Sequence, residues 1–218
     1  MTFNEYRKLF SDLYEAVKSV HAGSARPHRG HGLDHDVTVA MLGVLISPDA
    51  RTAEKSFCAG MLHSTDRIVE RTELVSALRS LLDRLPEGHF TPEEAEEIFL
   101  SVLRHEEPRD DDSLVQQVLM DADRLANVML SGALRAAQWF YDRPVIEFGY
   151  LDGKRNPETT WNSPCSVLDG VRVVYQMLHP LRTPKAIELR DKFVRDLSAF
   201  VGRVEEQYRL LGLAGIAL

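Results

Sequence analysis

Apolar residues recur at helical spacing along almost the whole of this chain. Phe3, Tyr6, Leu9, Phe10, Leu13, Tyr14, Val17 and Val20 step by threes and fours, which predicts one amphipathic helix over about 3–20. Ala22 to Gly32 is rich in Gly, Pro and His and reads as a loop. A helix follows from about Asp34 to Ile46. Ser47-Pro48-Asp49 stops it, because proline has no N–H to donate and disfavours helix in the residue before it. Thr52-Ala53-Glu54 opens the next helix, which runs to His63. Ser64, Thr65 and Asp66 are capping types and predict a kink and a restart there. Leu74, Val75, Leu78, Leu81, Leu82 and Leu85 share a face within Glu70 to Leu85, before the break at Pro86-Glu87-Gly88.

Thr91-Pro92-Glu93-Glu94 combines a cap, a proline at the first helical position and acids in the first turn, so a helix starts there and reaches His105. Arg104 to Asp112 reads as a charged loop. Leu114 to about Phe140 is helical, with a bend expected near Asp121-Ala122-Asp123. Tyr141 to Ser163 is long and rich in Gly, Pro and Asn, a candidate lid or pocket wall. Helices resume at Val167 to Leu178 and from Thr183 to about Leu211. No alternation of apolar and polar residues lasts long enough for a sheet. The pattern therefore predicts an all-α protein, one domain over 1–218 with the first helix packed on its core.

Composition narrows the function. At 44% hydrophobic residues over 218 positions the chain can bury a substantial core, and its net charge of −7 argues against a broad footprint for duplex nucleic acid or an anionic membrane. A small phosphorylated ligand stays compatible, since a metal ion and an arginine or two supply local positive charge. Cys58 and Cys165 form no Cys-x-x-Cys pair, so neither a disulfide scaffold nor a thiolate zinc site is expected, and Cys58 reads as a core residue. The start lacks an apolar leader, and the longest apolar run, Val37 to Ile46, falls short of the roughly 20 residues of a membrane span. A soluble, cytoplasmic protein is expected. The apolar tail from Leu210 either docks on the core or forms a homodimer contact.

The candidate chemistry lies in three stretches: His31-Gly32-Leu33-Asp34-His35, Met61-Leu62-His63-Ser64-Thr65-Asp66 and Asp121-Ala122-Asp123-Arg124-Leu125. Each adjoins an apolar helical run, where imidazoles and carboxylates need partners, and a divalent metal ion is one such partner. His31 and His35 are four apart, but Gly30 and Gly32 place His31 in the loop and leave His35 pointing inward. Taken singly, each of His35, His63 and His105 reads more readily as a satisfied core histidine than as a ligand. Asp121 and Asp123 could be a cap and an ion-pair partner for Arg124. His21, His28, His89 and His179 read as surface or loop residues.

The order of the three stretches resembles the HD superfamily of metal-dependent phosphohydrolases. The match lies in His31 to Val39, Ala59 to Asp66 and Asp121 to Leu125, with His105 and the Leu181-Arg182-Thr183-Pro184-Lys185-Ala186 turn as further points. The resemblance covers about 20–206. It implies a helical HD fold and a divalent ion (Mn, Fe, Ni, Zn or Mg) held by His35, His63 and Asp121. The implied activity is attack of metal-activated water on a nucleotide or another small phosphate ester. The departure is Ser64, which stands where the family carries the Asp of its name and is a poor metal ligand. Asp66, a turn further on, is then a candidate further ligand or general base, and His105 a candidate to complete the ion's ligands or to protonate a leaving group; Arg67 and Arg104 are, by sequence proximity, the candidate phosphate-binding residues. The alternative is a degenerate HD protein that binds a phosphorylated ligand or a protein without turnover. Trp161 either stacks on a base or packs.

Overall fold

Every regular element is helical in the computed structural model, which describes residues 1–25, 30–176 and 180–216. The α-helices are α1 (Phe3–Leu9), α2 (Ser11–Gly23), α3 (Leu33–Ile46), α4 (Ala50–Leu62), α5 (Thr65–Ile68) and α6 (Leu74–Leu82). They continue as α7 (Pro92–Leu103), α8 (Leu114–Val128), α9 (Leu130–Trp139), α10 (Val167–Gln176) and α11 (Pro184–Leu210). The all-α expectation is met. His28, His179 and the end of the helix expected to reach Leu178 lie outside the described residues.

The helix expected over 3–20 is two helices. Phe10 leaves helical geometry, with φ −112° and ψ 40°, and its ring is fully buried. It stacks at 5.8 Å on Phe57 and at 5.8 Å on Phe90. Burying that aromatic area offsets a break in the backbone ladder. The bend expected near Asp121 instead falls at Met129, where ψ is 157°. Ser64, between α4 and α5, does mark a restart.

Contacts divide the chain into two compact units. The first comprises Met1–Asp123 with Arg182–Ala186, and the second Arg124–Leu181 with Ile187–Leu218. The first unit is organised by the antiparallel pair α3 and α4. A Cβ on Gly60 would lie 2.6 Å from the Ala40 nitrogen, and one on Gly43 would lie 3.3 Å from the Ser56 Cβ. The two backbones thus touch at successive turns. α3 is apolar nearly all round, as a helix covered on most sides must be. Tyr6 of α1 stacks on Phe57 of α4 at 4.8 Å. From α7, Glu97 accepts from Lys55 of α4 at 2.6 Å, and Glu94 pairs with Arg51. Cys58 is fully buried, as expected, and burial pushes its thiol pKa well up.

In the second unit the segment expected to be a lid is tied down. The Arg172 guanidinium is buried, donating to Asp169 at 2.6 Å and pairing with Glu205. The same two carboxylates accept from the segment: Asp169 from the Asn156 N–H at 3.0 Å and the Thr159 hydroxyl at 2.9 Å, Glu205 from the Gly153 N–H at 3.1 Å. Buried charges of this kind are costly unless fully paired, so the loop and the ion cluster hold each other. Trp161 is half exposed. In the tail the Gly215 N–H donates to the Phe148 carbonyl at 2.8 Å, while Leu210 and Leu211 stay exposed. No described helix is long and apolar enough to cross a membrane.

Two glycine substitutions separate packing from propensity. An unobstructed mid-helix Gly→Ala change stabilises by about 0.8–1 kcal/mol. Gly202→Ala in α11, with open space around its Cβ position, is expected to show that gain. Gly60→Ala is expected to reverse the sign and lose about 1–3 kcal/mol from overpacking against the α3 backbone. Urea unfolding of both variants measures the difference.

Candidate metal centre

The α3–α4 crossing sets the site. One turn beyond the Ala40–Gly60 contact, the first turn of α3 and the last turn of α4 bring His35 and His63 together. Both are buried, and their Nε2 atoms lie 3.1 Å apart. His63 is the first residue past α4, and its Nδ1 lies 2.8 Å from the Gly60 carbonyl, one of the open acceptors at a helix end. A carbonyl only accepts, so Nδ1 carries a proton, and in the neutral ring Nε2 then presents its lone pair. The Ser64 hydroxyl lies 3.2 Å from that Nε2. Asp123 of α8 sends Oδ1 to 3.2 Å from His35 Nε2 and 3.9 Å from His63 Nε2. His31 precedes α3 in the loop, as expected, yet its ring meets that of His35 at 5.2 Å. Ligand atoms of His31, His35 and His63 all lie within 4.8 Å of one another.

Asp121 is fully buried, and its Oδ2 accepts from the Arg182 N–H at 2.9 Å, the Thr183 N–H at 2.7 Å and the Thr183 hydroxyl at 2.9 Å. Those donors sit at the entry to α11, so one oxygen of Asp121 secures that turn. His105, just past α7, donates from Nδ1 to the Val102 carbonyl at 2.6 Å, and its ring lies 6.0 Å from that of His63. Asp66 lies in α5, with its Oδ2 3.2 Å from Arg67. Its Oδ1 is buried and meets no hydrogen-bond donor among the described residues. Burial pushes the Asp66 carboxyl up from the ordinary aspartate range. Arg67 and His105 pull it down, while Glu106 and Asp123 add to the rise. Arg67 is half exposed and also donates to Glu106 at 2.8 Å. Arg104 is exposed and lines a groove with Glu93, Glu97 and Gln116.

No family model matches the chain, and no curated protein does. Among solved structures, a Lactobacillus plantarum protein determined as a structural-genomics target superposes with a TM-score of 0.63 at 18% identity. The superposition covers 93% of this chain and 98% of that one. At that identity the likeness speaks to the fold.

The donor set suits a divalent ion of transition-metal type. Bond lengths of about 2.0–2.2 Å put neighbouring ligand atoms roughly 3.0–3.5 Å apart, and the 3.1 Å and 3.2 Å separations here fall in that range. Two imidazole nitrogens facing each other also need a cation or proton between them. Four residues of this cluster go beyond the reading of the sequence. Asp123, which reads there as an ion-pair partner, reaches the histidines, and His31, in the loop as expected, joins them. Asp36 had not been singled out, although it shares the packing face of Ala40 and Gly43. His21, expected at the surface, is buried, with Nε2 2.7 Å from Asp36 Oδ2.

Asp66 yields a stability test. A carboxyl whose folded pKa is raised costs nothing below its unfolded pKa and destabilises once pH exceeds its folded pKa. Asp66→Asn is therefore expected to raise the unfolding midpoint at pH 7–8, with the gain vanishing below about pH 4. Thermal melts of both proteins across that range measure it, and coincident curves throughout would refute the burial of this charge.

Proposed function

We propose that this protein is an HD-type metal-dependent phosphohydrolase acting on a nucleotide or another small phosphate ester. The observation that carries the reading is the convergence of His35 Nε2, His63 Nε2 and Asp123 Oδ1 within 3.1–3.9 Å at a buried helix crossing. His35, His63 and one carboxylate of the Asp121–Asp123 pair hold the ion. The contacts favour Asp123, and the sequence resemblance favours Asp121. When bound, a divalent ion there supplies Lewis acidity and a more acidic water.

The chain's own groups then handle protons. Asp66, its carboxyl pushed up by burial, holds its proton to higher pH than an ordinary aspartate and is placed to exchange a proton with water or a leaving oxygen. His105, fixed through Nδ1 to the Val102 carbonyl, offers Nε2 as the complementary acceptor. Arg67, a candidate phosphate ligand, stands beside Asp66. Ser64 places a hydroxyl, not a carboxylate, against His63, which supports one ion rather than two. That same serine favours a second reading, in which the fold binds a phosphorylated ligand without turnover.

Elemental analysis of protein purified without chelators, followed by a screen of nucleotides and phosphate esters, tests both. Wild type is expected to carry about one Mn, Fe, Ni, Zn or Mg per chain and to release phosphate. His63→Ala should abolish both. Whichever of Asp121→Asn and Asp123→Asn supplies the ligand should lose more than the about 10–100-fold in metal affinity that outer partners of a site cost. Metal without turnover in wild type, with turnover appearing in Ser64→Asp, would establish the second reading. No metal after reconstitution would sink both.

A further inference from the structure

Behind the facing imidazoles lies an array of buried polar groups that no metal ligand explains. Asp36 is 1% exposed, yet it sits on an α3 face otherwise made of Val39, Ala40 and Gly43. It stands opposite His63 for the same reason that Ala40 stands opposite Gly60, because the register of the antiparallel pair requires it. Its Oδ2 accepts from His21 Nε2 at 2.7 Å, and His21 belongs to α2 and is itself buried. Its Oδ1 has no hydrogen-bond partner among the described residues and faces the His63 ring, whose Nδ1 lies 3.3 Å away at ion-pair distance. A buried carboxylate is costly unless something uses its charge. Here α2, α3 and the residue that ends α4 each contribute one member to a line His21–Asp36–His63.

We infer that Asp36, held by His21, is a positioning residue for His63: it fixes the imidazole with the proton on Nδ1 and so aims the Nε2 lone pair at His35 and Asp123. The Gly60 carbonyl makes the shorter contact with Nδ1 and sets the ring plane. Asp36 adds the negative charge that a neutral carbonyl lacks. That charge makes Nε2 a stronger donor to a cation and disfavours the other tautomer, in which Nδ1 would present a second lone pair to the carboxylate. His21 keeps Asp36 turned toward His63 by holding its other oxygen. This inference rests on the metal reading above and adds to it two residues of the chain.

The test is Zn²⁺ affinity measured by competition with a chromophoric chelator, together with ¹⁵N spectra of the His63 ring in metal-free protein. Wild type is expected to show a single His63 tautomer, protonated at Nδ1. Asp36→Asn preserves shape and removes the charge; it should weaken Zn²⁺ by about 10–100-fold and show a tautomer mixture. A purely structural role would lower the unfolding midpoint and leave both readouts unchanged. Should Asp36→Asn fail to fold, His21 carries the test: His21→Leu should weaken Zn²⁺ at least tenfold, and His21→Gln, which keeps an N–H donor, should restore most of the loss. Wild-type affinity and tautomer in Asp36→Asn, or wild-type affinity in His21→Leu, overturns the positioning role alone. Absence of Zn²⁺ binding in wild type overturns the metal reading and this inference together.

Discussion

The close crossing of α3 and α4 is the constraint on which the candidate site depends. Gly60 has no side chain, and the Ala40 backbone occupies the space where one would be. Gly43 meets Ser56 in the same way one turn earlier. Residues this small let two helix axes approach until groups on facing turns touch. The next facing turn along the pair carries His35 and Asp36 on one side and His63 on the other, and there the touching groups are imidazoles and a carboxylate. A wider crossing would leave the two Nε2 atoms too far apart for one small ion. Packing and chemistry are thus one geometric fact read at adjacent turns.

Burial makes that fact electrostatic. His35, His63, Asp36 and Asp121 are almost wholly removed from water, and Asp66 and Asp123 largely so. In such surroundings each carboxylate raises the cost of its neighbours' charge. The rise of the Asp66 carboxyl, driven first by burial and added to by Asp123, expresses that cost. A divalent cation would lower it for several of these groups at once, which is why the accumulation of aspartates around imidazoles points to a cation more than to an anion. The candidate phosphate ligands fit this ordering. Arg67 is already paired with Asp66 and Glu106, and Arg104 lies in a groove with glutamates. Attraction of a phosphorylated ligand would therefore come chiefly from the ion.

The helices were legible because their signals are local. Thr91-Pro92 starts α7 as read, with the Thr91 side chain accepting from the Glu94 N–H, and Pro48 ends α3. The breaks at Phe10 and Met129 were not legible, since nothing in the adjacent letters announces them. Phe10 breaks its helix for the sake of Phe57 and Phe90, residues far along the chain. The site divided along the same line. His35 and His63 stood out because each interrupts an apolar helical run. His21 and Asp36 did not, because a histidine at a helix end and an aspartate in a first turn both have ordinary local explanations. Only the register of α2, α3 and α4 makes them partners. Asp36 did leave one trace, a carboxylate at the three- and four-residue spacing of Val39, Ala40 and Gly43, which is the packing face of α3.

The Asp121-Ala122-Asp123 stretch shows why a motif match does not assign duties within the motif. At about 100° per residue, side chains two apart on a helix project roughly 200° apart. One small ion therefore cannot draw its ligands from both carboxylates on the same face of α8. Two functions must be divided between them. One oxygen of Asp121 receives three donors from Arg182 and Thr183, which fixes the start of α11 to this helix. Asp123 reaches the imidazoles. The pair consequently ties a distant turn of the chain to the histidine crossing, and a substitution at either aspartate disturbs a different half of that tie. Loss at Asp123 would leave the turn at Thr183 intact. Loss at Asp121 would free the turn and, through α8, the position from which Asp123 is presented.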